Sequence, residues 1–396
     1  MTAIVLERLA HAHAQRAQEG LLRALRTVDG VDGTLLRISG RTLRNFASND
    51  YLGLARHPAL REALVRGAQK WGVGAGAAHL LGGHRDAHAT LEEKLASWLG
   101  RERALLFSTG YMANLGVAQA LVGSGDLCVE DKLNHASLLD GARLADCTLK
   151  RYVHADVDSA RRQLDTRGDA PALLATDGVF SMDGDIAPLA DLATLCATTR
   201  TALFVDDAHG LGVLGAQGEG SISAAGLGQN DVPILMATLG TAIGVAGAFV
   251  AGSAALIDGL VQFARTFVYT TAMPPALAVA TGAAIDIARH EHWRREKLRR
   301  LVAHFRHGAA ERGLSLLASQ TPIQPVLIGA SAAAAEAAAR LKAEGFFVPS
   351  IRPPTVAKGM ARLRVTLSAL HEEGDVEALL NALARAVAAA RRRRKE

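Results

Sequence analysis

The chain has 396 residues, 49% hydrophobic and 21% charged, the composition of a globular protein too long for one ordinary core. Its formal charge of +5 equals that of the run Arg391-Arg392-Arg393-Arg394-Lys395, so the body is near neutral and offers no basic face for nucleic acid. Cys128, Cys147 and Cys196 lack ligand spacing, the opening residues are charged too soon for a secretory signal, and no run of about 20 apolar residues occurs. Zinc or iron–sulfur binding and membrane insertion are therefore not expected, and the cytoplasm is.

In chain order, residues 1–45 read as an N-terminal helix and a hairpin-like connection, with Asp29-Gly30 and Asp32-Gly33 as turn signals. From residue 46 short aliphatic strands alternate with amphipathic helices. Leu91, Leu95, Trp98 and Leu99 share one helical stripe; 103–107 is a strand, Ser108-Thr109-Gly110 a turn, and Tyr111 opens a helix. Further strands are expected at 127–129, 173–176, 202–206, 234–237 and 248–251, with a helix at 188–199. Near 285 the pattern changes: one long charged helix over 283–312, a strand at 325–328, an alanine-rich helix at 331–344, a strand at 361–367, and a closing helix over 372–394 whose basic end suits the helix dipole. The expected organisation is an N-terminal segment 1–45, a large α/β domain 46–285 with a mostly parallel sheet covered on both faces, and a small α+β domain 286–396.

Several segments carry polar chemistry. In Phe204-Val205-Asp206-Asp207-Ala208-His209-Gly210 an apolar strand ends in two acids that point to opposite faces. At the carboxyl end of a strand an acid can keep a pyridine nitrogen protonated; the same pattern also suits a helix-capping acid and a surface histidine. Ser108-Thr109-Gly110-Tyr111 offers backbone N–H groups and a helix dipole to a phosphate. Asn134-His135-Ala136-Ser137 sets an imidazole at a helix start, and Asp177 to Asp185 is a long polar turn after a buried strand.

In their order and spacing these segments resemble the α-oxoamine synthase family of fold-type I pyridoxal-phosphate enzymes. Ser48-Asn49-Asp50-Tyr51-Leu52-Gly53-Leu54, Ile351-Arg352-Pro353-Pro354-Thr355-Val356 and Ala361-Arg362-Leu363-Arg364-Val365 add to the likeness, which runs from about Arg23 to Leu383. The resemblance implies a seven-stranded sheet, a homodimer, pyridoxal 5'-phosphate as cofactor, no metal, and condensation of L-alanine with a pimeloyl thioester on acyl carrier protein or coenzyme A. It implies that His135 stacks on the cofactor ring, Asp206 pairs with its nitrogen, and His209 and Ser181 contact its phenolic oxygen. Gly110, Tyr111 and Thr238 would lie at the phosphate, joined by Thr270 and Thr271 of a second subunit. Asn49 and Arg364 would hold the amino-acid carboxylate, Arg23 and Arg352 would face the acyl substrate, and His79 would lie in the glycine-rich entrance loop 72–83. One position departs: Thr241 stands where the family's cofactor-linking lysine stands, and a threonine has no amine. The retained set around it reads as an intact synthase site with one critical residue replaced. The competing readings are a catalytically silent subunit of the same fold and a glycine-using 2-amino-3-ketobutyrate ligase, against which Arg352-Pro353-Pro354 speaks.

Overall fold

The computed structural model describes residues 4–392. Helix α1 (Ile4–Gln18) buries no side chain. Strands β1 (Val28–Asp32), β2 (Leu35–Ile38) and β3 (Arg41–Asn45) form an antiparallel meander. Its first turn is at Gly33, where φ is +54°. The expected turn at Asp29-Gly30 is instead an irregular point inside β1. The Asp29 carboxylate takes Arg37 Nε at 3.1 Å across the ladder, so the pair is tied into the sheet.

After α2 (Pro58–Trp71) and α3 (Asp86–Leu99) comes β4 (Arg103–Phe107), then α4 (Gly110–Leu121), β5 (Leu127–Asp131) and α5 (Ala136–Leu144). Strands β6 (Thr148–Tyr152), β7 (Ala172–Asp177), β8 (Ala202–Asp206), β9 (Ile234–Thr238) and β10 (Ala248–Gly252) complete a seven-stranded sheet of order β4-β10-β9-β8-β7-β5-β6. Within this sheet β10 alone runs against the direction of the other six strands. Every residue of β5, β7 and β10 is buried, which is why these strands read as unbroken runs rather than as an alternation. The pleat still separates two faces. Leu105 and Phe107 enter the cluster with Ala113, Val117 and Leu260, while Ala104 and Leu106 join Leu91 and Leu95 of α3.

Beyond the sheet, the single helix expected over 283–312 is two, Pro275–His290 and His292–Glu311. They part at Glu291, whose φ of −86° and ψ of 67° leave the helical region. Strands β11 (Ile323–Gly329), β13 (Ser350–Ile351) and β14 (Ala361–Thr366) form an antiparallel sheet of order β11-β14-β13, and β12 (Phe346–Phe347) pairs in parallel with β3. The closing helix runs Glu373–Arg392, and the end of the basic run lies outside the described residues. Among the described residues no helix is long and apolar enough to cross a membrane.

Candidate functional site

The carboxyl ends of β7, β8 and β9 meet at a crevice, the place where open α/β sheets receive ligands. Strand β8 delivers Asp206 there and turns Asp207 away. Asp207 is clasped from the other side: its Oδ2 accepts Ser221 N at 2.7 Å, and a Cβ added at Gly178, Gly210 or Gly220 would fall 2.7, 2.0 or 1.9 Å from its carboxylate oxygens. Burial pushes its carboxyl up to about 7.

Asp206 lines a cavity of about 170 Å3. Its Oδ2 accepts Asn114 Nδ2 at 2.7 Å and its Oδ1 accepts Ala208 N at 3.0 Å. Burial raises its pKa, and those two donors oppose the rise. Among the described residues no lysine or arginine lines the cavity, so there this carboxylate meets only neutral donors or imidazole.

The same cavity gathers Asn49, Gly110, Tyr111, His135, Ser181, His209, Thr238 and Thr241, so most of the residues expected from sequence meet. His135 caps α5, and its backbone N donates to Asp177 Oδ1 at 3.2 Å. Asn134 beside it donates to Ala175 O and accepts Asp177 N, which stitches the β5 turn to β7. At α4, Thr109 Oγ1 takes Met112 N and Thr109 O takes Ala113 N, which leaves the first-turn amides of Gly110 and Tyr111 for an anion. The Tyr111 hydroxyl is spent on Asp140. His209 is half-buried, and desolvation lowers its pKa to about 3, with the charges of Arg364 and His135 adding to the effect; it is neutral at neutral pH, with Nδ1 2.8 Å from Tyr51 Oη.

Thr241 Oγ1 donates to Ala208 O at 2.7 Å and lies 3.2 Å from Thr238 Oγ1. Its side chain borders the cavity, so a longer residue at this position would reach into it. Arg364 does not line the cavity, but both terminal nitrogens stand 3.5 Å from Asn49 Oδ1 and its Nε donates to Ser181 O at 2.7 Å. Arg362 beside it binds Asp183 at 2.6 Å, so β14 grips the polar turn.

Besides Arg364, four expected residues do not join the cavity. Arg23 is exposed, and Arg352 donates to Gly20 O at 3.0 Å. Thr270 and Thr271 lie on the strap between two helices, where Thr271 bridges Ala78 of the entrance loop. His79 is not at an open mouth: it stacks on Phe267, centroids 4.8 Å apart, and its Nδ1 meets His84 Nδ1 at 2.9 Å. Nitrogens of His79, His84 and His88 lie within 4.8 Å of one another. Both His88 nitrogens are spent on backbone, however: Nδ1 accepts Arg85 N and Nε2 bonds Met273 O. This trio fastens the loop and the strap to α3.

The sequence reading gave no site role to Asn114, Ser137, Asp177 or Tyr51, although the last three lie in segments it singled out. Asn114 carried a signal: it is an amide one turn beyond Gly110 in a mostly apolar helix whose other amide is Gln119. Tyr51 carried none, because its partner His209 is 158 positions away.

The sequence matches the family described as aminotransferase class I and II over residues 41–383. It is 55% identical over 385 residues to the 8-amino-7-oxononanoate synthase of Alkalilimnicola ehrlichii, covering 97% of this chain and 98% of that one. It is 56% identical over 374 residues to the synthase of the same name from Thioalkalivibrio sulfidiphilus, covering 94% and 95%. Among solved structures it resembles the serine palmitoyltransferase of Sphingomonas wittichii, with a TM-score of 0.91 at 29% identity over 97% of both chains. It also resembles the 8-amino-7-oxononanoate synthase of Francisella tularensis, with a TM-score of 0.78 at 29% identity over 88% of this chain and 98% of that one. With that level of identity along nearly its full length, the chain belongs to the 8-amino-7-oxononanoate synthase family.

Proposed function

We propose that the chain is an acyltransferase that uses pyridoxal 5'-phosphate to condense L-alanine with a pimeloyl thioester, giving 8-amino-7-oxononanoate for biotin synthesis, and that Thr241 keeps its turnover very low. The observation that carries this reading is the buried Asp206 carboxylate, which faces the cavity with no lysine or arginine lining it. A protonated pyridine nitrogen would supply the missing positive charge. The other end of the cavity fits an anion: free amides at Gly110 and Tyr111, and a glycine whose added Cβ would stand 2.6 Å from Thr238 Cγ2. The residues therefore fit the cofactor everywhere except at position 241.

When bound, the cofactor supplies an electron sink for the carbon from which the α-proton leaves. The chain supplies the rest. Asp206 would hold the proton at the ring nitrogen, His135 would stack on the ring, and neutral His209, with Ser181, would face its oxygen. Arg364 with Asn49 would bind the alanine carboxylate and so orient the amino acid. Arg23 and Arg352 would meet the acyl chain only outside the cavity of the single chain, where Arg23 is exposed and Arg352 is bonded to Gly20 O. Thr241 has no amine to link the cofactor and no base to remove the α-proton at neutral pH.

A second copy completes the site. Thr270 and Thr271 stay off the cavity of their own chain. Tyr269 beside them, and Leu80 and Leu81 in the loop that Thr271 bridges at Ala78, are exposed apolar side chains that a partner subunit would cover. Three unpaired cysteines suit a reducing, cytoplasmic setting.

The test is Thr241→Lys beside the parent. The parent should bind pyridoxal phosphate without a borohydride-reducible link. The variant should gain that link at position 241 and a condensation rate on the order of 10²–10⁴ higher. A parent already linked through another lysine and equally fast refutes this account of the site. A variant that binds cofactor but yields no product with alanine or glycine favours the silent-subunit reading. Product from glycine alone favours the ligase.

A further inference from the structure

Asn114 projects from α4 toward the crevice, fully buried. Both of its amide hydrogens are used: one goes to Asp206 Oδ2 at 2.7 Å, the other to Ser137 Oγ at 2.8 Å. Its Oδ1 has no hydrogen-bond partner among the described residues. The opposite amide orientation would press that oxygen against the Asp206 carboxylate, so the network sets the orientation despite the orphaned carbonyl. Ser137, also fully buried, receives one Asn114 hydrogen and directs its own toward His135 Nδ1, 2.6 Å away. His135 Nδ1 also faces the Ser137 backbone N–H at 3.3 Å. An imidazole nitrogen that accepts from both carries no proton, so a neutral His135 holds its proton on Nε2.

We infer that Asn114 is a positioning residue that sets both polar partners of the cofactor ring, holding Asp206 as an oriented carboxylate and, through Ser137, fixing His135 as its Nε2–H tautomer. The Asp206 half rests on the pyridoxal-phosphate reading; the His135 half does not. Without Asn114 the buried Asp206 loses a donor that favours its charged form, protonates more readily and no longer holds a proton at a ring nitrogen. Without it Ser137 is also free to rotate its hydrogen elsewhere, and His135 keeps only the longer Ser137 backbone N–H at 3.3 Å to bias its tautomer, so the preference weakens.

Two variants separate the halves. Asn114→Leu removes both bonds; Ser137→Ala, the smaller change, removes only the branch to His135. Histidine ring-nitrogen NMR on the cofactor-free chain, with His135 assigned through His135→Gln, should show the Nε2–H form in the parent and a tautomer mixture in both variants. An Nδ1–H parent, or an unchanged tautomer in both variants, overturns the His135 half. Titration with pyridoxal phosphate labelled at the ring nitrogen should show binding about tenfold weaker in Asn114→Leu, as expected for loss of one charge-assisted bond. The nitrogen should be protonated in the parent and in Ser137→Ala but not in Asn114→Leu. Equal affinity and a protonated nitrogen in Asn114→Leu overturn the Asp206 half. A parent that takes up no pyridoxal phosphate rejects the functional reading and the Asp206 half with it, while the tautomer result still decides the other half.

Discussion

Replacing Gly110 with alanine should injure the site through one atom. Gly110 opens α4 with helical backbone, so alanine meets no conformational penalty there. The new Cβ would sit 2.6 Å from Thr238 Cγ2, while the next atoms, Met236 Sδ and Cε, lie at an unstrained 3.7 Å. Carbon atoms rest at about 3.5–4.0 Å, so roughly 1 Å must be found by moving one methyl group on β9 or the whole first turn of the helix. Overpacking of this kind costs about 1–3 kcal/mol, and the shift would carry the anion-facing amides out of line. Thr238→Ser removes only the obstructing methyl and keeps the hydroxyl beside Thr241, 3.2 Å away. Thermal unfolding and pyridoxal-phosphate titration of the parent, both single variants and the double variant would close the cycle. The double variant should recover about 1–2 kcal/mol relative to the sum of the singles. If the two changes add to within about 0.5 kcal/mol, the methyl is not the obstacle and the geometry argued for this end of the cavity is wrong.

His371, stacked on Phe46 and bonded to Ser368 N and Asn45 O, is drawn down to about 4 by burial. Below pH 6.5 the unfolded chain takes up a proton that the folded one refuses, so stability should fall by on the order of 2–3 kcal/mol between pH 6.5 and 4; His371→Gln should flatten that limb in melting curves from pH 4 to 8, and an unchanged slope rejects the assignment. Sedimentation should show a dimer at micromolar concentration, and Leu81→Lys with Tyr269→Asp should give monomers that lose cofactor; a monomeric parent, or a variant dimer that keeps its cofactor, removes the shared-site reading.

What the sequence disclosed follows from which forces act locally. The two faces of Asp206 and Asp207 were readable because side-chain alternation along a strand is a local rule, and Gly110 was readable because a helix start after a strand has few alternatives. Asp29-Gly30 misled because the choice between turn and strand was settled by Arg37, eight residues on, which draws Asp29 into the ladder. The break at Glu291 was hidden because no glycine or proline marks it. Asn114 and Ser137 were missed for a different reason: their meaning lies in a bond 23 positions long that exists only once α4 and α5 pack. Arg23 and Arg352 show the reverse case, where the likeness named residues that the crevice of the single chain does not collect.

The pairing of β3 with β12 sets the order in which the protein can be made. Arg44 and Asn45 find their strand partners at Phe346 and Phe347, and the segment carrying Asn49 and Tyr51 is then pinned by Thr366 N on Phe46 O at 2.8 Å and by Ala369 N on Tyr51 O at 2.7 Å. During synthesis these early residues must wait for about three hundred later ones to leave the ribosome, with the edge of β3 open meanwhile. A nascent chain could thus shape the cofactor end of its crevice well before the amino-acid end exists. Polypeptides cut short before residue 346 would carry an unpaired strand edge, the kind of surface on which chains stick to one another and quality-control proteases act.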